Sequence, residues 1–507
     1  MTTFDVPPEY AQLITRLRQV HDLQAAAAVL HWDQATYMPP LGAEARSRQL
    51  ATLTRLAHER FTDEAVGRLL ERLAPWAEAL PAESIQAGVV REAHRQYDRQ
   101  VRIPPDLAAQ LSQHSAASFA AWVKARPADD FHAVRPYLEK TLELSLRLAD
   151  CFPGYAHPAD PLIDFSDTGM KAAEIQNLFA ALRGRLVPLA DAICSLPPAD
   201  DACLRQSYPV AAQLEFARSV IERFGFDFQR GRLDPTAHPF EITFALNDVR
   251  ITYRAREDDL GDALFSILHE AGHALYEQGG DPALDGLPVM GGCSSGVHES
   301  QSRLWENIVG RSRPFWIYWY PILQRMFPAQ LGGVTLDSFY RAVNRVERSL
   351  IRTDADEVTY NLHVMMRFDF ELAMLEGSLA VGDLPEAWRE RMRADLGVVP
   401  PDDRDGCLQD VHWFSGHIGG AFQGYTLGNI LAAQFFAAAC AAHPGIPDDI
   451  ARGEFVALHG WLKDNIYRWG SCFTAPQIIQ RASGGPLSIE PYLAYLRKKY
   501  GELYGIV

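Results

Sequence analysis

The sequence predicts a mainly α-helical protein that contains one small β-hairpin. Apolar residues recur at helical spacing through most of the 507 residues, and Pro-Pro or Gly-Gly pairs interrupt this pattern at intervals. Neither a fixed-period repeat nor a long polar linker divides the chain. We therefore expect a single large body over residues 1–507, in which 1–230 supply mostly helices and 231–507 carry the chemistry.

One segment departs from the helical pattern. Apolar and polar residues alternate in 240–246 and again in 249–253, and Asn247 and Asp248 stand at a turn position between the two runs. This alternation predicts a β-hairpin. Its exposed edge would be able to pair with an extended peptide.

The composition is that of a globular protein with an acidic surface. Apolar residues make up 48% of the chain, and 48 Lys plus Arg against 64 Asp plus Glu give a formal charge of -16. Such a field repels nucleic acids and anionic membrane surfaces, so we expect neither as a partner. The most apolar stretch, 430–442, is short and contains Gln434, which predicts a core helix and not a membrane span.

The cysteines indicate a reducing compartment. The seven cysteines form no CxxC pair and no tightly spaced framework. Residues 1–8 contain neither the basic region nor the apolar run of a signal peptide. We therefore expect free thiols in a cytoplasmic protein.

Two histidines on one predicted helix are candidate metal ligands. The helix is predicted over 258 to about 278, with acidic residues at its N-terminal end and a Gly-Gly pair after it. His269 and His273 are four residues apart, which corresponds to about 400° of helical rotation. Both imidazoles therefore project from one face and are able to bind one ion.

Glu270 follows the first of these histidines directly. Its carboxylate lies to the side of the histidine face, where it is suited to take a proton from water instead of binding the ion. The middle of the motif, Ala271 and Gly272, adds no other charge, and the small Gly272 lets a substrate or a neighbouring element approach closely. The motif predicts the centre of a zinc-dependent peptidase.

A catalytic zinc site needs a third protein ligand. A second helix is predicted after the loop-like residues 291–296, and Glu299 in its first turn is the first candidate, because peptidases with this motif often take a glutamate from a following helix. His298 and Glu306 in the same segment remain alternatives. A folded-back second helix would place any of the three near the histidine pair.

Seven short segments, in order along nearly the whole chain, share a pattern with a known family. They are WDQATYMP at 32–39, HPF at 238–240, DVRIT at 248–252, HEAGH at 269–273, HESQ at 298–301, IRTDADE at 351–357 and GCLQDVHW at 406–413. With these segments the chain resembles the carboxypeptidase Taq family of metallocarboxypeptidases. Seven ordered matches are more specific than the HEAGH motif alone.

The chain departs from the family pattern in one segment. Where the family has a stretch like GYFPxYxLGN, this chain has GAFQGYTLGN at 420–429. Tyr425 and the Leu-Gly-Asn tail are retained. The changed residues alter the shape of that wall and, with it, fine specificity.

The resemblance implies a mostly helical body with a deep active-site groove, walled in part by residues 1–230, and association as a homodimer. It implies release of single C-terminal residues, with broad preference, from peptides with a free C-terminus. The metal would be zinc or cobalt, one ion per chain. His269, His273 and Glu299 would be its ligands, and Glu270 would be the general base and acid.

Further roles follow from residue chemistry within the matched segments. The oxyanion that develops in the reaction needs a donor besides the metal, and the candidates are His412, His417 and Tyr425. A carboxypeptidase must also bind a terminal carboxylate. Arg352 is the first candidate, because a guanidinium binds a carboxylate through two parallel hydrogen bonds. The alternatives are Arg250 and Arg303.

Acidic residues close to Arg352 offer a different interpretation. Arg352 could pair structurally with an acid in 354–357, which is the usual surrounding of a structural arginine. Asp356 and Glu357 are also predicted to orient a metal-bound imidazole, since ligating histidines usually donate their second N–H to a carboxylate or a carbonyl.

Two other functions remain open from the sequence. An endopeptidase or a dipeptidyl carboxypeptidase would use the same HEAGH chemistry, and only the shape of the groove separates them from a carboxypeptidase. A non-catalytic metal-binding scaffold is a more distant alternative. A closed structural zinc site has four protein ligands, often cysteines, and no need for a neighbouring base such as Glu270.

Overall fold

A computed structural model describes residues 6–506 of the chain. Most of the N-terminal segment on which the signal-peptide argument rests, residues 1–5, lies outside the described residues, as does residue 507. The mainly α-helical class predicted from the sequence is confirmed.

The helices and strands follow one another in this order. The part before the sheet contains α1 (Pro8–Thr36), α2 (Ala43–Phe61), α3 (Glu64–Ala79), α4 (Ile85–Arg102), α5 (Pro105–Ala128), α6 (Phe131–Asp150), α7 (Ala159–Asp164), α8 (Ala172–Cys194) and α9 (Val210–Phe224). The strands are β1 (Gly231–Pro235), β2 (Glu241–Ala245) and β3 (Asp248–Tyr253). After them come α10 (Leu260–Gln278), α11 (Ser295–Arg303), α12 (Arg313–Met326), α13 (Pro328–Leu331), α14 (Leu336–Val343), α15 (Tyr360–Glu376), α16 (Leu384–Leu396), α17 (His412–Ser415), α18 (Gln423–Ala442), α19 (Ile446–Ala451), α20 (Val456–Asn465), α21 (Ala475–Ser483) and α22 (Glu490–Tyr504).

The small sheet contains the predicted hairpin and one strand more. β2 and β3 pair in antiparallel fashion across the predicted turn, with Glu241 opposite Ile251. β1 was not predicted, and it pairs in parallel with the other edge of β3. The start of the sheet coincides with the predicted division near residue 230, although the division into two functional parts stays a prediction.

α10 carries the histidine motif and is buried along most of its length. Asp259 caps the helix by accepting hydrogen bonds from the N–H groups of Gly261 and Asp262, so the helix begins two residues later than predicted. It ends at Gln278, as the Gly-Gly pair indicates. The sheet and α9 pack against α10 and hold the turn that carries His269 and His273 in the core.

α11 lies between α10 and α18 at very short range. A Cβ atom on Gly272 of α10 would lie 2.5 Å from the carbonyl oxygen of Gln301, and one on Gly428 of α18 would lie 2.5 Å from Cγ of Glu299. Only glycine leaves room for these backbones to touch. The close approach predicted at Gly272 is therefore made by a neighbouring helix, and it brings Glu299 to the histidines.

α18 contains the apolar stretch for which a core helix was predicted. Among residues 6–506 it alone has the length and composition of a membrane-spanning helix, and 61% of its most apolar window is buried inside the protein. Gln434 is buried as well, and its side chain donates to Ser483 and Pro486. The helix is part of the core, as predicted.

Candidate functional site

His269, His273 and Glu299 converge at one point. Oε2 of Glu299 lies 3.6 Å from Nε2 of His269 and 3.4 Å from Nε2 of His273. The three side chains offer ligand atoms that all lie within 4.8 Å of one another. Ligand atoms about 2.0–2.1 Å from a tetrahedral ion are roughly 3.3–3.4 Å apart, so this donor set fits a divalent cation such as zinc.

The charge states of His273 and Glu299 suit the same purpose. Burial lowers the pKa of His273 to about 3, which keeps its imidazole neutral. Burial acts to raise the pKa of Glu299, yet the charges of Arg303 and His269 hold it well below its usual range. Arg303 donates to Oε1 of Glu299 at 2.7 Å, which leaves Oε2 directed at the histidines.

Glu270 is buried beside the cluster. Burial raises the pKa of its carboxyl to about 7, in the range where a carboxylate both accepts and returns a proton at neutral pH. Its side chain faces the same cavity as His269 and does not belong to the three converging ligand atoms. The position agrees with the predicted placement to the side of the histidine face.

The two histidines are held from behind by different partners. Nδ1 of His269 contacts Oε2 of Glu306 at 3.0 Å, and Arg303 and Arg311 bind the same carboxylate at 3.2 and 3.4 Å. Burial opposes ionisation of Glu306, but the Arg303 charge and the bond to His269 lower its pKa to about 2. Nδ1 of His273 contacts another imidazole, that of His298, at 2.6 Å.

The prediction that Asp356 and Glu357 orient a metal-bound imidazole is wrong. Asp356 accepts from the backbone N–H groups of Val358 and Thr359 and from the Thr359 hydroxyl, so it caps the turn before α15. Glu357 pairs with Lys499 at 2.7 Å in the core. The role was predicted because a ligating histidine usually donates its second N–H to a carboxylate, but Asp356 is used by the adjacent turn and Glu357 by a lysine 142 residues away.

The cluster lies where two cavities meet. The first cavity, of about 820 Å³, is lined by His273 and by one face of α4, which supplies Glu92, Arg95, Gln96 and Arg99. The second cavity, of about 880 Å³, is lined by His269, Glu270 and Arg352. Glu299 and Tyr425 line both. Together the cavities form the groove predicted for this fold, and residues 1–230 line it through α4 and through side chains at 165–168 and 201–205.

Tyr425 is the one of the three oxyanion candidates that lines the groove. Its hydroxyl lies 3.0 Å from Nε2 of His412, which is behind it. Burial lowers the pKa of His412 to about 4, so this imidazole is neutral at pH 7. The imidazole of His417 lies next to Phe165, with the two ring centroids 6.3 Å apart. Its Nε2 is buried and has no hydrogen-bond partner among the described residues.

Arg352 is buried in a cluster with one carboxylate and a second arginine. Its Nε and one terminal nitrogen donate to Oδ1 of Asp410 at 3.1 and 2.8 Å, and the other donates to the Tyr360 hydroxyl at 2.9 Å. Arg367 donates to Oδ2 of Asp410 at 2.6 Å. Two guanidinium groups and one carboxylate leave one positive charge. Burial acts to raise the pKa of Asp410, but the charges of Arg367 and Arg352 hold it far below its usual range.

The alternative arginines have other surroundings. Arg250 on β3 pairs with Asp248 at 2.8 Å and lies over the Trp32 ring, and it lines neither of the two cavities. Arg303 lines the second cavity but is engaged by Glu299 and Glu306. The structural pairing predicted for Arg352 with an acid in 354–357 is also not found, since its partner is Asp410.

The segment that departs from the family pattern is anchored to the N-terminal half. Nε2 of Gln423, which is buried, donates to Oδ2 of Asp167 at 2.8 Å and to the Ser166 hydroxyl at 2.9 Å. Asp167 also accepts from the N–H of Gly296 in the first turn of α11. The changed residue thus connects the wall that carries Tyr425 to the helix that carries Glu299.

Several residues around the site were missed or misread from the sequence. Asp410 and Arg367 had no assigned role, although Asp410 lies within the GCLQDVHW segment that carried the resemblance. Glu306 was considered only as a ligand. It belongs to a π-helical turn, Leu304–Val309, a feature often found at functional sites, which continues α11 and directs this carboxylate at His269.

The fold and the site define a helical metallopeptidase with an HExxH motif. The family model described as carboxypeptidase Taq (M32) metallopeptidase matches residues 12–500. Thermostable carboxypeptidase 1 of Thermus thermophilus is 44% identical, over 98% of this chain and 99% of that protein. Carboxypeptidase 1 of Bacillus subtilis is 34% identical, over 96% and 97%. The M32 carboxypeptidase of Deinococcus radiodurans has a TM-score of 0.96 at 50% identity, over 98% of this chain and 100% of that one.

The chain belongs to the carboxypeptidase Taq (M32) metallopeptidase family. It is therefore a metallocarboxypeptidase, and membership of the family implies a divalent metal ion. The resemblance described from seven sequence segments is confirmed over nearly the whole chain.

Proposed function

We propose that the chain releases single C-terminal residues from peptides with one zinc ion, or cobalt in its place, held by His269, His273 and Glu299. The observation that carries this proposal is the convergence of two Nε2 atoms on one oxygen of Glu299, at 3.6 and 3.4 Å. Nitrogen and oxygen donors at this spacing suit zinc. His298 and Glu306, the other candidates for third ligand, support the two histidines from behind.

Glu270 is proposed as the general base and acid. A divalent ion held by His269, His273 and Glu299 would supply Lewis-acid chemistry, lowering the pKa of the attacking water and polarising the scissile carbonyl. Glu270 takes a proton from the attacking water onto a carboxylate oxygen and returns it to the nitrogen of the leaving amine. The raised pKa of Glu270, about 7, supports both transfers at neutral pH.

Tyr425 is proposed as the donor to the developing oxyanion. Its side chain lines both cavities, so it faces the point where the scissile carbonyl would lie. If the neutral His412 donates its Nε2 proton to the phenol oxygen, the phenol hydrogen is free to point into the groove. His412 is then a positioning residue. His417 keeps its predicted role without support from its position.

Arg352 is proposed to bind the terminal carboxylate in the second cavity. Its guanidinium has five N–H groups, and three of them are used by Asp410 and Tyr360, which leaves one on each terminal nitrogen. The excess positive charge of the Arg352, Asp410 and Arg367 cluster favours an anion there.

A substrate bound with its terminal carboxylate at Arg352 would lose one residue at a time. The guanidinium carbon of Arg352 lies 5.1 Å from the centre of the Tyr425 ring. Tyr425 lines the same cavity as Glu299, one of the three proposed metal ligands. A substrate whose terminal carboxylate binds Arg352 therefore has little chain between that group and the junction of the cavities. The upstream residues would lie in the first cavity, along α4. An endopeptidase or a dipeptidyl carboxypeptidase would need a longer path beyond the cluster.

Replacing Arg352 with alanine tests the carboxylate assignment. Hydrogen bonds to charged groups contribute roughly 1.5–3 kcal/mol, so kcat/KM on peptides with a free C-terminus should fall by about 10- to 150-fold. The wild type should discriminate strongly against the same peptides amidated at the C-terminus, and Arg352→Ala much less. Both rates are measured by mass spectrometry on paired substrates.

Arg250→Ala is the matched control, because Arg250 is also paired with an aspartate but lines neither cavity. It should leave the discrimination unchanged. Unaltered discrimination in Arg352→Ala would move the anchor elsewhere, with Arg303 next to be tested. Equal cleavage of amidated and free peptides by the wild type would favour the endopeptidase alternative.

Assembly and location complete the proposal. We propose a homodimer that resides in the cytoplasm and has neither nucleic acid nor membrane as a partner. All seven cysteines are free, which supports a reducing compartment. Tyr37 and Leu41, at 52% and 99% exposure, offer apolar surface beside the end of α1 for a second copy.

A further inference from the structure

His298 occupies a tightly built space behind His273. Its ring is nearly parallel to that of His273, with centroids 4.5 Å apart and planes 21° apart, and it also lies against the Tyr276 ring at 5.4 Å. A Cβ atom on Gly292 would lie 2.5 Å from Cδ2 of His298, so only glycine leaves room for the imidazole. The ring is therefore fixed in one orientation.

Both nitrogens of this ring have partners. Nδ1 lies 2.6 Å from Nδ1 of His273, and Nε2 lies 2.8 Å from Oε1 of Glu277. Glu277 is buried and belongs to α10, one turn after His273. Among the residues that the structure describes, His298 is the only side chain paired with its carboxylate, which also accepts from the N–H of Gly292 at 3.2 Å.

The positions of the protons follow from these contacts. A carboxylate only accepts, so Nε2 of His298 carries a proton. The two facing Nδ1 atoms share a single proton, because two would collide and none would leave both lone pairs opposed. If His273 offers Nε2 to the metal, its own proton lies on Nδ1 and is donated to His298.

We propose that Glu277, acting through His298, fixes the tautomer and the ring orientation of His273 and thereby strengthens metal binding. The inference rests on the proposed function, because it takes His273 as a ligand through Nε2. His269 has a carboxylate in direct contact with its Nδ1. For His273 the carboxylate is one imidazole further away, so Glu277 and His298, which also line the first cavity, act on the metal through His273 as positioning residues.

The test is the dissociation constant of Zn²⁺, measured by competition with a chromophoric chelator on the full chain. Glu277→Leu removes the acceptor, and the constant should rise by about 10- to 100-fold, as for other groups that orient a ligand. Glu277→Gln keeps an acceptor oxygen and should restore most of the affinity. The control is Gln278→Leu, which removes a neighbouring buried polar side chain of α10 whose hydrogen bonds go to residue 227.

His298→Phe gives a second route should Glu277→Leu fail to fold. It keeps a stacked aromatic ring and removes both ring nitrogens, so it should weaken Zn²⁺ binding to a similar extent. Zn²⁺ affinity in His298→Phe equal to that of the wild type would overturn the proposal. A wild type that binds no Zn²⁺ would overturn the proposed metal site itself.

Discussion

Replacing Glu270 with glutamine is expected to lower kcat by about 10²–10⁴-fold while the bound metal is retained. The amide keeps the shape of the side chain, but it accepts no proton from the attacking water and has none to give to the leaving amine. Because Glu270 is not one of the three converging ligands, metal content should match that of the wild type. Turnover and metal content are measured on the same preparation.

Glu92→Gln is the matched control for this change. Glu92 is a buried carboxylate that lines the first cavity and pairs with Arg95, and it has no proposed role in proton transfer. Its amide variant should turn over at close to the wild-type rate. A near-normal rate in Glu270→Gln would mean that another group takes the proton from water.

Removing the Tyr425 hydroxyl is expected to have the next largest effect. Tyr425→Phe keeps the ring that borders both cavities and should lower kcat by about 10²–10³-fold, as loss of one oxyanion donor does in other enzymes. KM should change little, because the hydrogen bond forms fully only as negative charge develops on the carbonyl oxygen. Steady-state kinetics on one peptide separate kcat from KM.

Tyr360→Phe makes the same chemical change elsewhere in the groove. Tyr360 lines only the second cavity, and its hydroxyl accepts from Arg352. We expect a smaller loss, mainly in KM, because the arginine that binds the carboxylate loses a neighbour. A larger fall in kcat for Tyr360→Phe than for Tyr425→Phe would assign the oxyanion donor to Tyr360.

The parts of the site that lie within one helix could be predicted from the sequence. The four-residue spacing of His269 and His273 fixes their common face, and the adjacent position of Glu270 fixes its place beside them. A glycine-rich loop predicted that a second helix folds back, and Glu299 was preferred on it because peptidases with this motif often take a glutamate from a following helix. Its contact depends on two glycines whose need for close packing appears only in three dimensions.

The partners of these residues could not be predicted in the same way. Arg352 and Asp410 are 58 residues apart, and Glu357 and Lys499 are 142 apart, so no local pattern joins them. Strand β1 was missed because Gly231–Pro235 contains arginine, aspartate and proline and lacks clear alternation. It becomes a strand through its parallel pairing with β3.

The most direct test of the account is the product pattern of an N-blocked peptide before and after removal of the metal. With Zn²⁺ or Co²⁺ bound, mass spectrometry should show a ladder that shortens from the C-terminus by one residue at a time. After chelation and verified metal removal the ladder should disappear, and either ion should restore it. Full activity in the metal-free protein, or an internal cut in place of the ladder, would contradict the account.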